Sequence, residues 1–189
     1  KDGVQTLTHT GPKNRAAAVI NWDAGDFFEN PSRGRQLRVL AAIMDLKLTE
    51  DLRERLGDTY APSVSVDQSE TFKGIGVLRA TIDLEPEKLT IFYAEIQKMA
   101  AELAAGKIDG DEFTRATKPI IEGLPKSEED NQYWLRVADS AQFRPETLAW
   151  HRSRRPDYES VTLPQVKALA KQIFGTSKGL RIEVRPAGS

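Results

Sequence analysis

The chain has 189 residues, 27 basic and 28 acidic side chains and no cysteine. A net charge of −1 gives no basic field for nucleic acid or an anionic membrane, and without thiols there is neither a disulfide framework nor a thiolate zinc site. No apolar run approaches the ~20 residues of a transmembrane helix, and a start at Lys1-Asp2-Gly3, without Met or a signal-peptide pattern, leads us to expect one domain, residues 1–189, belonging to a longer protein.

Gly3 to Thr10 is rich in β-formers, and Gly11-Pro12-Lys13-Asn14 is turn material. Ala16, Ala18, Ile20 and Trp22 then face one way while Asn21 and Asp23 face the other, the pattern of a half-buried strand. Asp23 to Arg33 reads as a polar loop, and its Phe27 and Phe28 are expected to anchor the loop rather than hold a ligand. Leu37, Leu40, Met44, Leu48, Leu52 and Leu56 recur every three or four residues, with Val39, Ile43 and Leu46 widening the stripe. This predicts the strongest helix of the chain, bent between Asp45 and Thr49, with Thr49 capping a second segment and Gly57 ending it.

Val64 and Val66 alternate with Ser63, Ser65 and Asp67, and Leu78, Ala80, Ile82 and Leu84 alternate with Arg79, Thr81, Asp83 and Glu85. The two runs predict an antiparallel hairpin with one wet face. Gly74-Ile75-Gly76 lacks the third glycine and following helix of a phosphate loop, so it reads as the hairpin turn. Glu85-Pro86-Glu87 opens a helix with the stripe Leu89, Phe92, Ile96, Met99 and Leu103, ended by Gly106. Asp109 and Glu112 form a capping-box pattern ahead of Phe113, Ala116, Ile120, Ile121 and Leu124, with a kink expected at Pro119.

Two short helices follow, over Gln132–Arg144 and Glu146–Arg152, with Trp134, Val137, Ala138 and Ala141 as one buried face. Arg152-Ser153-Arg154-Arg155 reads as a solvated helix end and 157–162 as a loop. Thr162 caps a last helix carrying Val166, Leu169, Ala170 and Ile173, and Leu180, Ile182 and Val184 alternate with Arg181, Glu183 and Arg185 in a final strand. The order β-β-α-β-β-α-α-α-α-α-β segregates strands from helices. It predicts the α+β class, a mainly antiparallel sheet with helices packed on one face. Leu78, Ala80, Ile82, Leu84, Leu180, Ile182 and Val184 are expected to share one core with Leu40, Met44, Phe92 and Ile96.

A hydrolytic zinc site needs about three protein ligands and an open position. The only histidines are His9 and His151, and neither has the glutamate spacing of H-x-x-E-H. No nucleophile elbow or Walker A pattern occurs, and Glu128-Glu129-Asp130 reads as a set of helix-start acids. Arg53 in the last turn of the long helix and Tyr60 at the mouth of the next strand, seven positions on, stand apart. A forked donor and a single phenolic O–H both suit a carbonyl oxygen or a developing oxyanion.

The run Arg53-Glu54-Arg55-Leu56-Gly57-Asp58-Thr59-Tyr60 resembles the signature in the second half of the insulinase/pitrilysin family of zinc metallopeptidases, which includes the mitochondrial processing peptidases and the core subunits of the respiratory cytochrome bc complex. The wider stretch from His9-Thr10-Gly11-Pro12 through Val64 is similar to the bacterial, periplasmic-type members. The resemblance implies an insulinase-like domain, the C-terminal half without zinc. In that family a zinc-bearing half closes over such a domain like a clamshell, and the peptide is held as an added strand. Carried over, Arg53 would orient the scissile carbonyl and Tyr60 would donate to the oxyanion. Zinc and H-x-x-E-H would lie in an N-terminal half or a partner subunit, with no metal ligand in this chain. Peptide is the implied substrate, with no nucleic acid and no membrane span. The alternative is a non-catalytic peptide-binding or scaffold subunit like the cytochrome bc core proteins.

Overall fold

In a computed structural model, residues 2–28, 30–56 and 61–188 are described. The chain runs β1 (Gly3–His9), β2 (Ala16–Asp23), α1 (Pro31–Leu56), β3 (Ser63–Gln68), β4 (Gly76–Leu84), α2 (Leu89–Ala104), α3 (Gly110–Glu128), α4 (Asn131–Phe143), α5 (Glu146–Glu159), α6 (Leu163–Phe174) and β5 (Leu180–Pro186). A single 3-10 turn over Pro86–Lys88 precedes α2. This is the order read from the sequence, and the class is α+β.

The long helix begins where its residues dictate. The Asn30 side chain accepts from the Arg33 N–H at 2.9 Å, and Pro31 takes the first helical position, where no N–H is needed. α1 then runs as one continuous helix of 26 residues, with no second segment restarting at Thr49. Leu48 and Leu52 are as buried as Leu37 and Leu40, so one apolar stripe carries the helix past Asp45 and Thr49. The Asp45 carboxylate is turned outward and accepts the Val64 N–H at 2.7 Å, which ties the start of β3 to α1. Phe27 lies against Gly34, where a Cβ would stand only 2.6 Å from the ring. Phe27 and Phe28 both meet Trp150 edge-on, so the pair anchors the loop as expected.

The five strands form one sheet in the order β1-β5-β2-β4-β3. Every pairing is antiparallel except β1 with β5. The last strand therefore inserts between the first two. On β2 and β4 the residues Ala16, Ala18, Ile20, Trp22, Leu78, Ala80, Ile82 and Leu84 are buried, in one core with Leu40, Met44, Phe92 and Ile96.

β5 departs from the expectation. Ile182 pairs with Val19 and Val184 with Ala17, so these side chains share the face away from the helices, and none of β5's apolar trio joins the core. Arg181 and Glu183 pair with Ile20 and Ala18 and face the helical layer instead. There the Arg181 guanidinium lies 5.0 Å over the Tyr93 ring, and the Tyr93 hydroxyl donates to the Ile182 carbonyl at 2.9 Å. Alternation shows which residues of a strand share a face, but register decides which face it is.

On α3 both legs of the expected capping box form between Asp109 and Glu112, and the helix continues through Pro119 and Pro125. Two other helices differ from the sequence reading. On α4 the buried residues are Tyr133 and Val137, while Trp134 is half exposed and donates its indole N–H to the Glu128 carbonyl. α5 does not end at Arg152 but reaches Glu159, which places Arg154 inside a helix rather than at a solvated end. No helix among the described residues is long and apolar enough to cross a membrane.

Candidate functional site

The sequence singles out Arg53 and Tyr60. Arg53 is exposed in the last turn of α1, as expected. Two residues on, Arg55 reaches α2 and pairs with buried Glu95 at 2.9 Å. Positions two apart on a helix differ by about 200°, so Arg53 projects on another side of the turn from α2. Lys47 pairs with Glu112 and Arg115 with Glu50, which holds the same half of α1 against α3. The arginine thus stands on a braced helix end. Gly57 and Tyr60 lie outside the described residues, so the structure places Arg53 and leaves its meeting with Tyr60 undrawn.

Neither histidine is disposed as a metal ligand. His9 ends β1, and its two ring nitrogens face the Gly11 N–H and the Arg15 carbonyl, each at 2.9 Å, within the turn to β2. His151 sits on α5 with Nδ1 at 2.6 Å from the Tyr133 hydroxyl. Among the described residues no three His, Cys, Asp or Glu side chains come together. The donors among the described residues do not fit a zinc site.

What the sequence reading missed is a cavity of about 420 Å³ between α1, α4 and α5. Arg35 and Arg38 enter it from α1, Tyr133 and Arg136 from α4, and Thr147, His151, Arg154 and Tyr158 from α5. Arg35 is 7% exposed; one Nη donates to the Trp150 carbonyl at 3.0 Å, while its guanidinium lies over the Phe27 and Tyr158 rings. Its Nε has no hydrogen-bond partner, and the nearest carboxylate, Asp157, stays 3.9 Å away. The Thr147 hydroxyl, in a residue 2% exposed, has none either.

The electrostatics follow from the crowding. Burial holds the Arg35 guanidinium below its ordinary value; Tyr158 and Asp157 work against that shift, while repulsion from Arg38 and Arg154 adds to it. Burial likewise pushes the His151 imidazole down, and Arg154 pushes it further. A signal for this cavity did exist in the sequence. Thr147, His151, Arg154 and Tyr158 recur at four, three and four residues, which is one face of a helix. Ending that helix at Arg152 hid the periodicity.

No family model matches the sequence, and no curated protein matches it. Comparison with solved structures places the fold. A structure described as a peptidase M16 inactive domain from Pseudomonas fluorescens matches all of this chain with a TM-score of 0.79 at 14% identity, over 45% of its own length. A putative M16-like peptidase from Alicyclobacillus acidocaldarius matches 97% of the chain with a TM-score of 0.72 at 19% identity, over 43% of its length. A chain of complex III from Candida albicans matches 98% with a TM-score of 0.76 at 14% identity, over 46% of its length. The chain therefore has the fold of an M16, insulinase-type peptidase domain, a fold also present in complex III. It spans less than half the length of each of these neighbours.

Proposed function

We propose that this chain is the C-terminal, substrate-contacting half of a zinc metalloendopeptidase that cleaves peptides, with zinc and its H-x-x-E-H helix in an N-terminal half or partner subunit. The observation that carries this reading is the match of the whole chain to a structure described as an M16 inactive domain. It is supported by Arg53, held on the last turn of α1 next to the segment that contains Tyr60. In this reading Arg53 orients the substrate carbonyl through its fork of donors, and the Tyr60 phenol, neutral at working pH, donates to the oxyanion.

The sheet supplies a surface for the other half. Ala17, Val19, Ile182 and Val184 are only partly buried on the face that turns away from the helices. A periplasmic, bacterial setting belongs to the same reading, and cell fractionation tests it. The deciding experiment is peptide cleavage by the full-length protein, or by this chain mixed with its zinc-bearing partner, at measured zinc occupancy. Zinc-dependent turnover that disappears when this chain is omitted supports the proposal; turnover by the partner alone refutes it.

The likeness to complex III favours one second reading, a scaffold subunit that binds without cleaving. A full-length protein with neither H-x-x-E-H nor a zinc-bearing partner, forming a stable complex without peptidase activity, would establish that role instead.

A further inference from the structure

We propose that the cavity between α1, α4 and α5 is a binding site for the phosphate group of a small organic phosphate. Four arginines line it, Arg35, Arg38, Arg136 and Arg154, with the acids Glu70 and Asp139 among the lining residues and Asp157 beside Arg35. Arg38 and Arg154 both lie close enough to Arg35 to oppose its charge. Like charges gathered at the edge of a low-dielectric core are costly unless an anion joins them.

Two buried donors point to where that anion belongs. Buried polar atoms in folded proteins nearly always have partners. Here the Arg35 Nε makes no hydrogen bond and has only the Asp157 carboxylate 3.9 Å away, the Thr147 hydroxyl makes none either, and both residues line this one cavity. A phosphate group in the cavity brings acceptors to both residues, and charge-assisted bonds to guanidinium are the stronger kind. Arg154 is already oriented, by a 2.8 Å bond to the Ser127 hydroxyl and by the Tyr133 ring beneath it. At about 420 Å³ the cavity exceeds a bare phosphate ion and falls in the ~300–1,000 Å³ range of small-molecule sites. The aromatic side chains of Trp150, Tyr133 and Tyr158 form the walls for the organic part.

The site is separate from the peptidase reading. Arg35 and Arg38 lie in the first turns of α1 and Arg53 in its last, roughly 25 Å away at 1.5 Å per residue.

Phenyl phosphate and inorganic phosphate, titrated by calorimetry into the intact protein at an ionic strength fixed with sodium chloride, provide the test. Phenyl phosphate should bind saturably at one site, more tightly than inorganic phosphate. Arg38→Gln and Arg154→Gln should each weaken it about tenfold or more. Arg38 is exposed, so its replacement keeps the fold, which an unchanged melting temperature without ligand verifies. Arg53→Lys should bind as wild type. The His151 imidazole reports independently by NMR: bound phosphate offsets the guanidinium repulsion and moves its titration to higher pH, while the His9 signal stays put. No saturable binding at millimolar phenyl phosphate, or binding equally strong in both arginine variants, or an unmoved His151 titration with phosphate bound, would overturn the assignment.

Discussion

At the scale of single residues, four side chains carry distinct expectations. Tyr60→Phe in the full-length protein deletes one hydroxyl and keeps the ring. If that hydroxyl donates to an oxyanion, kcat should fall by about 10²–10³ with zinc content unchanged. Arg53→Lys should also be damaging, because an ammonium cannot reproduce the planar fork. Steady-state cleavage at matched zinc occupancy checks both, and near-wild-type turnover would reduce the pair to packing. His151 bears on stability. Its native pKa is lowered, so the unfolded chain binds the extra proton more readily. The stabilising contribution of the neutral ring is fully present above about pH 6.5 and is lost as pH falls through the lower native value. Melting temperatures of wild type and His151→Gln, measured from pH 7.5 to about 5, should show a shallower acid-side loss in the variant.

Tyr93 is the fourth. Burial, with Glu183 adding to it, pushes its phenol up to about 12, so it stays a neutral donor. From α2 it bonds the Ile182 carbonyl of β5. Tyr93→Phe should cost ~0.5–1.5 kcal/mol, read from the urea midpoint.

At the scale of elements, β4 and β5 read alike in sequence and behave differently in the fold. Both alternate apolar with charged residues. The apolar side of β4 is sealed under α1 and α2, with Ile82 2% exposed. That of β5 is only half-buried on the opposite face. Ile82→Ala should therefore cost ~2–5 kcal/mol, and Ile182→Ala clearly less, as judged by denaturant unfolding. Equal losses would mean that the register of β5 is wrong.

Much of this level was legible. The stripe from Leu37 to Leu52 and the Asp109–Glu112 box depend on residues within a few turns of each other, so local spacing reveals them. The length of α5 was not legible. Arg152-Ser153-Arg154-Arg155 followed by a proline looks like a helix end, yet Tyr158 is 4% exposed and its packing extends the helix beyond Pro156. The cavity stayed hidden for the same reason. Arg35 and Arg154 are remote in the chain, and no local rule places one beside the other.

At the scale of the whole molecule, one sheet face is covered by helices. The other leaves Leu7, Ala17, Val19, Ile182 and Val184 partly accessible, with Leu7 54% exposed. In the proposed enzyme that face is the natural contact for the other half. Hydrogen exchange of this chain, alone and with its zinc-bearing partner, should show added protection on β1, β5 and β2. Protection confined to the helical layer would place the contact elsewhere.

By itself the sequence determined the element order, the α+β class, the core face of β2 and β4 and the candidacy of Arg53 and Tyr60. Each of these rests on the period of a local pattern or on a short run of residues. Only the tertiary structure decided that β5 enters between β1 and β2 and turns its apolar side away from the helices. Only it showed that α1 runs as one continuous helix and that four arginines from three helices line one cavity. These outcomes depend on strand register and on contacts between residues far apart in the chain, where pattern along the sequence has no leverage.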